Sequence, residues 1–326
     1  MVTRRVVKLT EFGSPQVLSI VTEELASPMP GEVRVRQTAI GFNFIDIYKR
    51  KGIYPLPLPT GLGFEAAGVV EAVGSGVAHI RSGDRVAYMN AGVGAYADRR
   101  NVPADKLVAL PDTVSDEAAA TLLFKGMTAQ YLLRKTHAVQ AGEVLLVHSA
   151  AGGVGQILTR WATALGATVF GTTGSPGKRE TALAAGCVDV IDLNDPEWPD
   201  AFLRASGGRK ARVVYDAIGK DTLIKSLDCA APFGLVVWYG ASSGKAPAVD
   251  PERLNKKGCL FLTRPSVFPH NADPATFRAN AADLFAAIAQ GHVSVDIGGR
   301  FRLDDIVEAH VAAEERRFGG ALLIVP

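Results

Sequence analysis

The stretch Val144-Leu-Leu-Val-His-Ser-Ala-Ala-Gly-Gly-Val-Gly155 decides how the rest of this chain is read. It opens as an uninterrupted apolar run, the pattern of a strand buried on both faces of a parallel sheet. It then turns through a glycine pair, and apolar residues recur at Val154, Ile157, Leu158, Trp161, Ala162 and Leu165 with a helical period. Gly166 stands where that helix needs a terminating residue with positive φ, and Thr168-Val-Phe-Gly171 follows as a second strand. Strand, glycine turn, amphipathic helix and strand make a βαβ unit. Its turn leaves unpaired backbone N–H groups at the positive end of a helix dipole with no side chains over them, a cradle for a pyrophosphate. The spacing in Ala150-Ala-Gly-Gly-Val-Gly155 departs from G-x-G-x-x-G, so the prediction rests on the order of elements. Ala151, Gly152, Gly153, Val154 and Gly155 are the expected cofactor contacts in this turn.

At 326 residues the chain is long for one compact core, and two domains are expected. With 35 basic against 33 acidic residues, it carries no electrostatic footprint for nucleic acid or an anionic membrane. The longest uncharged run, Trp161 to Gly177, contains four Gly and a Pro and is already assigned to helix plus strand, so no transmembrane helix is expected. The opening Met-Val-Thr-Arg-Arg-Val-Val-Lys lacks the apolar core of a signal peptide. Three scattered cysteines, Cys187, Cys229 and Cys259, suit a reducing compartment. A cytoplasmic location is the expectation.

The chain before Ser115 reads differently from the middle. Val33-Arg-Val-Arg-Gln-Thr-Ala39 and Gly83-Asp-Arg-Val-Ala-Tyr88 alternate at period two, and Gly/Pro turns interrupt often, which predicts an antiparallel β-rich domain. Ser115-Asp-Glu-Ala118 is a helix start with a capping hydroxyl and acids in the first turn. After the opening βαβ unit come a helix over Lys178–Ala185 and a strand over Val188–Ile191. Arg212–Ile218 and Gly234–Gly240 read as two further buried strands. Such alternation predicts a doubly wound parallel sheet. The last segment holds an Ala-rich helix, a second helix reaching Glu315 and a terminal strand Leu322-Leu-Ile-Val325.

Several segments carry a resemblance that covers nearly the entire chain: Gly41-Phe-Asn-Phe-Ile-Asp-Ile-Tyr48, Gly61-Leu-Gly-Phe-Glu-Ala-Ala-Gly68, Val73-Gly-Ser-Gly-Val77, Gly83-Asp-Arg-Val86, Lys125-Gly-Met-Thr-Ala-Gln-Tyr131, Ala150 to Gly155, Val213-Val-Tyr-Asp216, Gly240-Ala-Ser-Ser-Gly244 and Thr263-Arg-Pro-Ser266. With them the chain resembles the zinc-independent medium-chain dehydrogenases/reductases, and among these the NADPH:quinone oxidoreductases that include zeta-crystallin. The resemblance implies an α/β protein with a GroES-like β-rich catalytic domain built from residues 1–123 and 265–326. A Rossmann NADPH-binding domain would occupy 124–264, with an active site in the cleft and a homodimer as the usual state.

The donor inventory speaks against zinc. A structural site needs four clustered thiolates, and no two cysteines here are nearer than 30 positions. Where zinc-dependent relatives carry His before a Glu, this chain has Phe64-Glu65, and the region that would supply a ligating cysteine reads Gly41-Phe-Asn-Phe44. No metal is expected, and Glu65 reads as a buried, hydrogen-bonded carboxylate. Alcohol oxidation, which needs a Lewis acid here, is a poor fit.

An NAD site places an acid on the ribose about 20 residues after the glycine turn. Thr172 stands there and is expected against the cofactor, in the acid-free Gly171-Thr-Thr-Gly-Ser-Pro-Gly-Lys-Arg179. Ser175, Lys178 and Arg179 are placed to hold a 2′-phosphate through charge-assisted hydrogen bonds, so NADPH is the expected cofactor. Leu193 occupies a place where relatives often carry Tyr, and Arg179 or Asn194 would compensate.

By resemblance, Asn43, Tyr48 and Tyr54 position the acceptor, and Asn43, Asp46, Tyr131, Gly240, Ser242, Ser243, Arg264 and Arg316 line the cofactor. None of the six histidines has a ligand or triad spacing, and His148 reads as a packed strand-end residue. The expected function is NADPH-dependent two-electron reduction of a quinone or related carbonyl acceptor. Reduction of an activated C=C bond, as by enoyl or alkenal reductases, is the alternative. A non-catalytic NADPH-binding structural or RNA-binding protein is the alternative of a different class; near-neutral charge and the intact glycine turn argue against it.

Overall fold

In the computed structural model, described over residues 2–294 and 296–326, the chain forms two compact units. The first comprises residues 1–127, 271–289 and 295–326, and the second 128–270 and 290–294. Both seams fall beyond positions 123 and 264 suggested by the sequence. At the second seam the reason is visible: the His270 ring stacks on Tyr131, centroids 4.6 Å apart, which keeps the segment before residue 271 with the second unit.

The first unit is β-rich. It begins with β1 (Val2–Leu9), β2 (Leu18–Leu25), β3 (Glu32–Gly41), α1 (Phe44–Arg50), β4 (Thr60–Gly61) and β5 (Glu65–Val73). It continues with β6 (Arg85–Met89), β7 (Arg99–Pro103), β8 (Leu107–Ala109) and α2 (Asp116–Tyr131). Ser115 caps α2, its hydroxyl accepting the Ala118 N–H at 3.1 Å. A core of Val7, Val35, Ile40, Phe42, Ile47, Leu62, Tyr88 and Tyr96 forms beneath these strands. The alternation in Gly83–Tyr88 predicted an antiparallel β-rich domain, and β6 pairs antiparallel with both its neighbours. β6 lies between β5 and β8, and Val86 to Met89 are all buried.

The second unit carries β9 (Val144–Val147), α3 (Gly153–Ala164), β10 (Thr168–Thr173), α4 (Arg179–Ala184), β11 (Asp189–Asp192) and α5 (Trp198–Ala205). Then come β12 (Ala211–Asp216), α6 (Leu223–Cys229), β13 (Ala230–Trp238), α7 (Pro251–Lys256), β14 (Phe261–Thr263) and α8 (Val267–His270). All pairings in its six-stranded sheet are parallel, in the order β11-β10-β9-β12-β13-β14. This is the doubly wound dinucleotide-binding topology, with its switch point between β9 and β12. All four residues of β9 are buried, as the continuous apolar run requires. α3 buries Ile157, Leu158, Trp161 and Ala162 of the predicted stripe, while Val154 and Leu165 at its two ends are half-buried.

The chain returns to the first unit with α9 (Pro274–Ala289), β15 (Ile297–Arg302), α10 (Ile306–Glu314) and β16 (Ala321–Val325). β16 pairs with β15 on one side and with β3 on the other. The two ends of the chain therefore share one seven-stranded sheet.

Candidate cofactor and acceptor site

In the second unit, β9 ends at Val147 and the backbone reverses through Ser149, whose φ is +55°. The Gly152 N–H bonds to the Ser149 carbonyl at 2.8 Å, and α3 starts at Gly153. The first-turn N–H groups of Gly153, Val154 and Gly155 have no intrahelical acceptor by helix geometry. Gly155 is indispensable to this shape: a Cβ there would lie 2.2 Å from the Ser149 carbonyl oxygen. Ala151 is buried, and its carbonyl takes the Gln156 amide at 2.9 Å. The bare turn is a cradle that fits a pyrophosphate.

Thr172, at the end of β10, is fully buried and turned inward. Its hydroxyl meets His148 Nδ1 at 2.9 Å, and His148 Nε2 meets Ser226 Oγ at 2.9 Å. Ser226 donates to Asp216 Oδ2 at 2.9 Å, which makes Nε2 the protonated nitrogen of His148 and Nδ1 the acceptor of the Thr172 proton. Thr222 also donates to Asp216, and the Ile218 and Gly219 N–H groups converge on its Oδ1. Burial holds His148 below its ordinary pKa, so the ring stays neutral. Ser, His and Asp thus meet in the fold, but the serine stands between the other two and is fully buried, which is not a nucleophile's arrangement. The Thr172 side chain, expected against the cofactor, is committed to this network instead.

Past β10, Thr173 and Asn194 pin the loop through Ser175 and the Gly174 carbonyl. Among the described residues, neither the Ser175 hydroxyl nor the Lys178 ammonium meets a protein partner, and both suit a phosphate. Arg179 does not share that freedom: its guanidinium pairs with Asp189 at 2.6 Å and bonds the Val190 carbonyl. Arg179 is thus already engaged within the protein, unlike the other two predicted phosphate contacts. Leu193 packs against the apolar core of this unit.

Gly240, Ser242 and Ser243 follow β13, and the Ser242 and Ser243 N–H groups bond to Ala217 and Ile218 carbonyls. Ser243 Oγ ties to the Ile218 carbonyl at 2.9 Å and accepts the Asp221 N–H, so its hydroxyl serves the loop, whereas Ser242 is exposed. Arg264 lies over the Trp238 ring, 4.4 Å from its centroid. Tyr131 is 2% exposed beneath His270, and burial pushes its hydroxyl well above the ordinary range.

In the first unit, Asn43 caps α1. Its own N–H donates to Asp46 Oδ2 at 2.9 Å, half of a capping box. Asp46 was expected beside the cofactor, but it is fully buried, and Oδ2 also accepts the Tyr96 hydroxyl at 2.8 Å. Burial raises its pKa to about 7. The Asn43 side chain donates to Glu65 Oε1 at 2.7 Å, and Lys125 Nζ donates to Asn43 Oδ1 at 3.0 Å. Glu65 is the buried, hydrogen-bonded carboxylate the sequence suggested. Tyr48 is half-buried and meets the exposed Tyr54 ring edge to face, 5.8 Å apart. Burial, then Tyr54, raises the Tyr48 pKa, and the exposed Arg316 opposes this. The structure thus brings Tyr48, Tyr54 and Arg316 together. Sequence reasoning did not single out Lys125 as a site residue, yet a lone charge in the otherwise uncharged run Leu122 to Tyr131 is a detectable signal.

Residues 29–112 match the alcohol dehydrogenase GroES-like domain, and 153–286 match the family described as zinc-binding dehydrogenase. Quinone oxidoreductase 1 of Escherichia coli is 44% identical over 329 residues, covering all of both chains. The crystal structure of Escherichia coli quinone oxidoreductase complexed with NADPH superposes with a TM-score of 0.94, at 43% identity and full coverage of both chains. This chain belongs to the quinone oxidoreductase family. The chain is also similar to a 2-haloacrylate reductase of Burkholderia, 42% identical over 311 residues and 93% of each chain. Despite the name of the second domain family, the described residues group no three His, Cys, Asp or Glu side chains able to hold a metal. At Glu65 the charge is met by the Lys125 ammonium, 3.5 Å away.

Proposed function

We propose that this protein reduces quinones by two electrons at the expense of NADPH, without a metal. The full-length likeness to a quinone oxidoreductase whose structure holds NADPH carries the reading, and the bare turn at Gly152–Gly155 supports the cofactor. NADPH supplies a hydride when bound; with one proton from solvent the quinone becomes hydroquinone and NADP+ leaves. The α3 N-terminus holds the pyrophosphate, while Ser175 and Lys178 take the 2′-phosphate. Asn43, Tyr48 and Tyr54 orient the acceptor, with Arg316 at the rim of the tyrosine pair. Negative charge in the reduced quinone rests on oxygen, which water protonates unaided, so no side chain need titrate near neutrality.

The 2-haloacrylate reductase likeness favours reduction of an activated C=C bond as the second reading. That chemistry delivers a proton to carbon and depends on a positioned acid. NADPH consumption is to be followed with 1,4-benzoquinone, with an enone and with neither. Faster turnover of the enone would replace the first reading with the second.

NADPH is expected to be preferred over NADH. Loss of one charge-assisted contact is worth roughly 1.5–3 kcal/mol, so Lys178→Ala should weaken NADPH about 10- to 150-fold and hardly change NADH. Equal weakening of both in a fluorescence titration would assign the lysine to the fold instead.

A homodimer is proposed as the working state. β14 is an edge strand with unpaired backbone on its outer side, a ready template for a second copy. Phe261 on it is 61% exposed, and Phe233 nearby on β13 is 62% exposed. Phe261→Asp should shift the particle from dimer to monomer in light scattering; an unchanged mass would rule this surface out. The proposed location is the cytoplasm, in keeping with the free cysteines Cys187, Cys229 and Cys259. Among the described residues no helix is long and apolar enough to cross a membrane, and no nucleic-acid partner is proposed.

A further inference from the structure

We propose that Lys125 is a positioning residue for acceptor reduction, acting through the Asn43 amide. The proposal deepens the acceptor role given to Asn43 above and rests on it. An ammonium has three N–H donors and no acceptor. Those of Lys125 face three oxygens: the Phe42 carbonyl at 2.9 Å, Asn43 Oδ1 at 3.0 Å and Glu65 Oε1 at 3.5 Å. Glu65, fully buried, spends its other oxygen on the Phe124 N–H at 2.7 Å. The start of β5, the end of β3 and the middle of α2 are therefore fastened at one point. The backbones are close enough that a Cβ on Gly41 would lie 1.9 Å from the Ala120 carbonyl oxygen and 2.5 Å from Glu65 Oε1.

The consequence falls on Asn43. A carboxamide has nearly the same shape with its oxygen and nitrogen exchanged, so shape alone leaves two orientations open. Lys125 can only donate, which leaves one: Oδ1 toward the ammonium and Nδ2 toward Glu65, where burial raises the carboxyl pKa and Lys125, Asn43 and the Phe124 N–H favour the charged form. The hydrogen not given to Glu65 is an N–H donor, on an amide polarised by a cation at the opposite end. A donor of fixed direction is what an acceptor oxygen needs as it gains negative charge. Lys125 also offsets the Glu65 charge. Removal of the ammonium leaves a buried carboxylate that favours its protonated form, which then offers Asn43 a donor where it now has an acceptor.

The test compares the parent with Lys125→Ala, using NADPH and 1,4-benzoquinone. The variant should lose roughly 10- to 100-fold in kcat while its NADPH dissociation constant stays within threefold, because the phosphates are held elsewhere in the chain. Methylammonium chloride should restore at least threefold of the lost rate. Tetramethylammonium chloride at the same concentration, with charge but no N–H, should restore none. A kcat within twofold of the parent overturns the proposal, as does a deficit that the two salts change equally. Should Lys125→Ala not fold, Asn43→Asp decides: it keeps the size and removes the N–H donor, so a kcat within twofold of the parent overturns the proposal, and a loss of tenfold or more supports it. A parent inactive on quinone refutes the quinone reading alone, and the same variants are then compared with the enone, whose carbonyl oxygen gains the same charge.

Discussion

Gly155→Ala should cost about 100-fold or more in NADPH affinity. The new methyl carbon would lie 2.2 Å from the Ser149 carbonyl oxygen and 2.8 Å from the Ala150 Cα, and both are backbone atoms that cannot rotate away. Ordinary contact is reached only if the β9 turn and the start of α3 separate by more than an ångström. Such overpacking costs about 1–3 kcal/mol where the structure gives. Here the part that gives is the cradle, and its N–H groups move off the phosphate oxygens. Loss of two such hydrogen bonds to a charged group, at about 1.5–3 kcal/mol each, corresponds to roughly 100-fold or more in binding. Far-UV circular dichroism and a melting curve establish that the variant is folded, and a fluorescence titration reads the affinity. A dissociation constant within threefold of the parent would show that the pyrophosphate is held elsewhere.

That turn was legible because its signal is local. A buried strand, a turn without side chains and a 3.6-residue stripe each follow from neighbours in sequence, and α3 with Gly166 behind it came out as expected. The parallel sheet was legible for the same reason, since strands covered on both faces must read as continuous apolar runs. The β-rich unit was harder. Alternation in Gly83–Tyr88 indicated a strand, but that it is enclosed between β5 and β8 and buried from Val86 to Met89 follows from distant neighbours that the sequence does not reveal.

Side-chain commitments were the least legible part of the site. His148 meets Ser226, 78 positions away, and Thr172, 24 positions away, so no spacing rule connects them. Arg179 looked free for a phosphate because its partner, Asp189, belongs to the next strand. The Lys125 ammonium, 60 positions from Glu65 and 82 from Asn43, is placed only once α2 packs against β3 and β5. Residue types at the site can be read from sequence, whereas donors and acceptors that the fold has already claimed cannot.

Asp46 gives the second large effect, and its sign follows from the direction of the shift. Burial raises this carboxyl from an ordinary 3.8 to about 7, while the Asn43 N–H, Tyr96 and Lys125 favour the charged form and Glu65 opposes it. The folded state therefore binds a proton more tightly than the unfolded chain does. Stability contributed by Asp46 is fully present below pH 4 and is lost as pH rises through about 7. At 1.36 kcal/mol per pH unit, the loss across that window reaches at most about 4 kcal/mol. A carboxamide in its place does not titrate and keeps the two hydrogen bonds, because a single oxygen, Oδ2, accepts both; among the described residues Oδ1 has no partner, so its replacement breaks no contact. Asp46→Asn should thus match the parent near pH 4 and exceed it increasingly up to pH 8, where the gain in urea unfolding free energy is largest. Glu65 is present in both proteins, and because its charge repels that of Asp46, their coupling adds to the expected gain in the variant and does not reverse it. A gap between variant and parent that stays constant from pH 4.5 to pH 8 would mean that Asp46 is ionised throughout, and that the buried carboxylate is held by more than the two hydrogen bonds it receives.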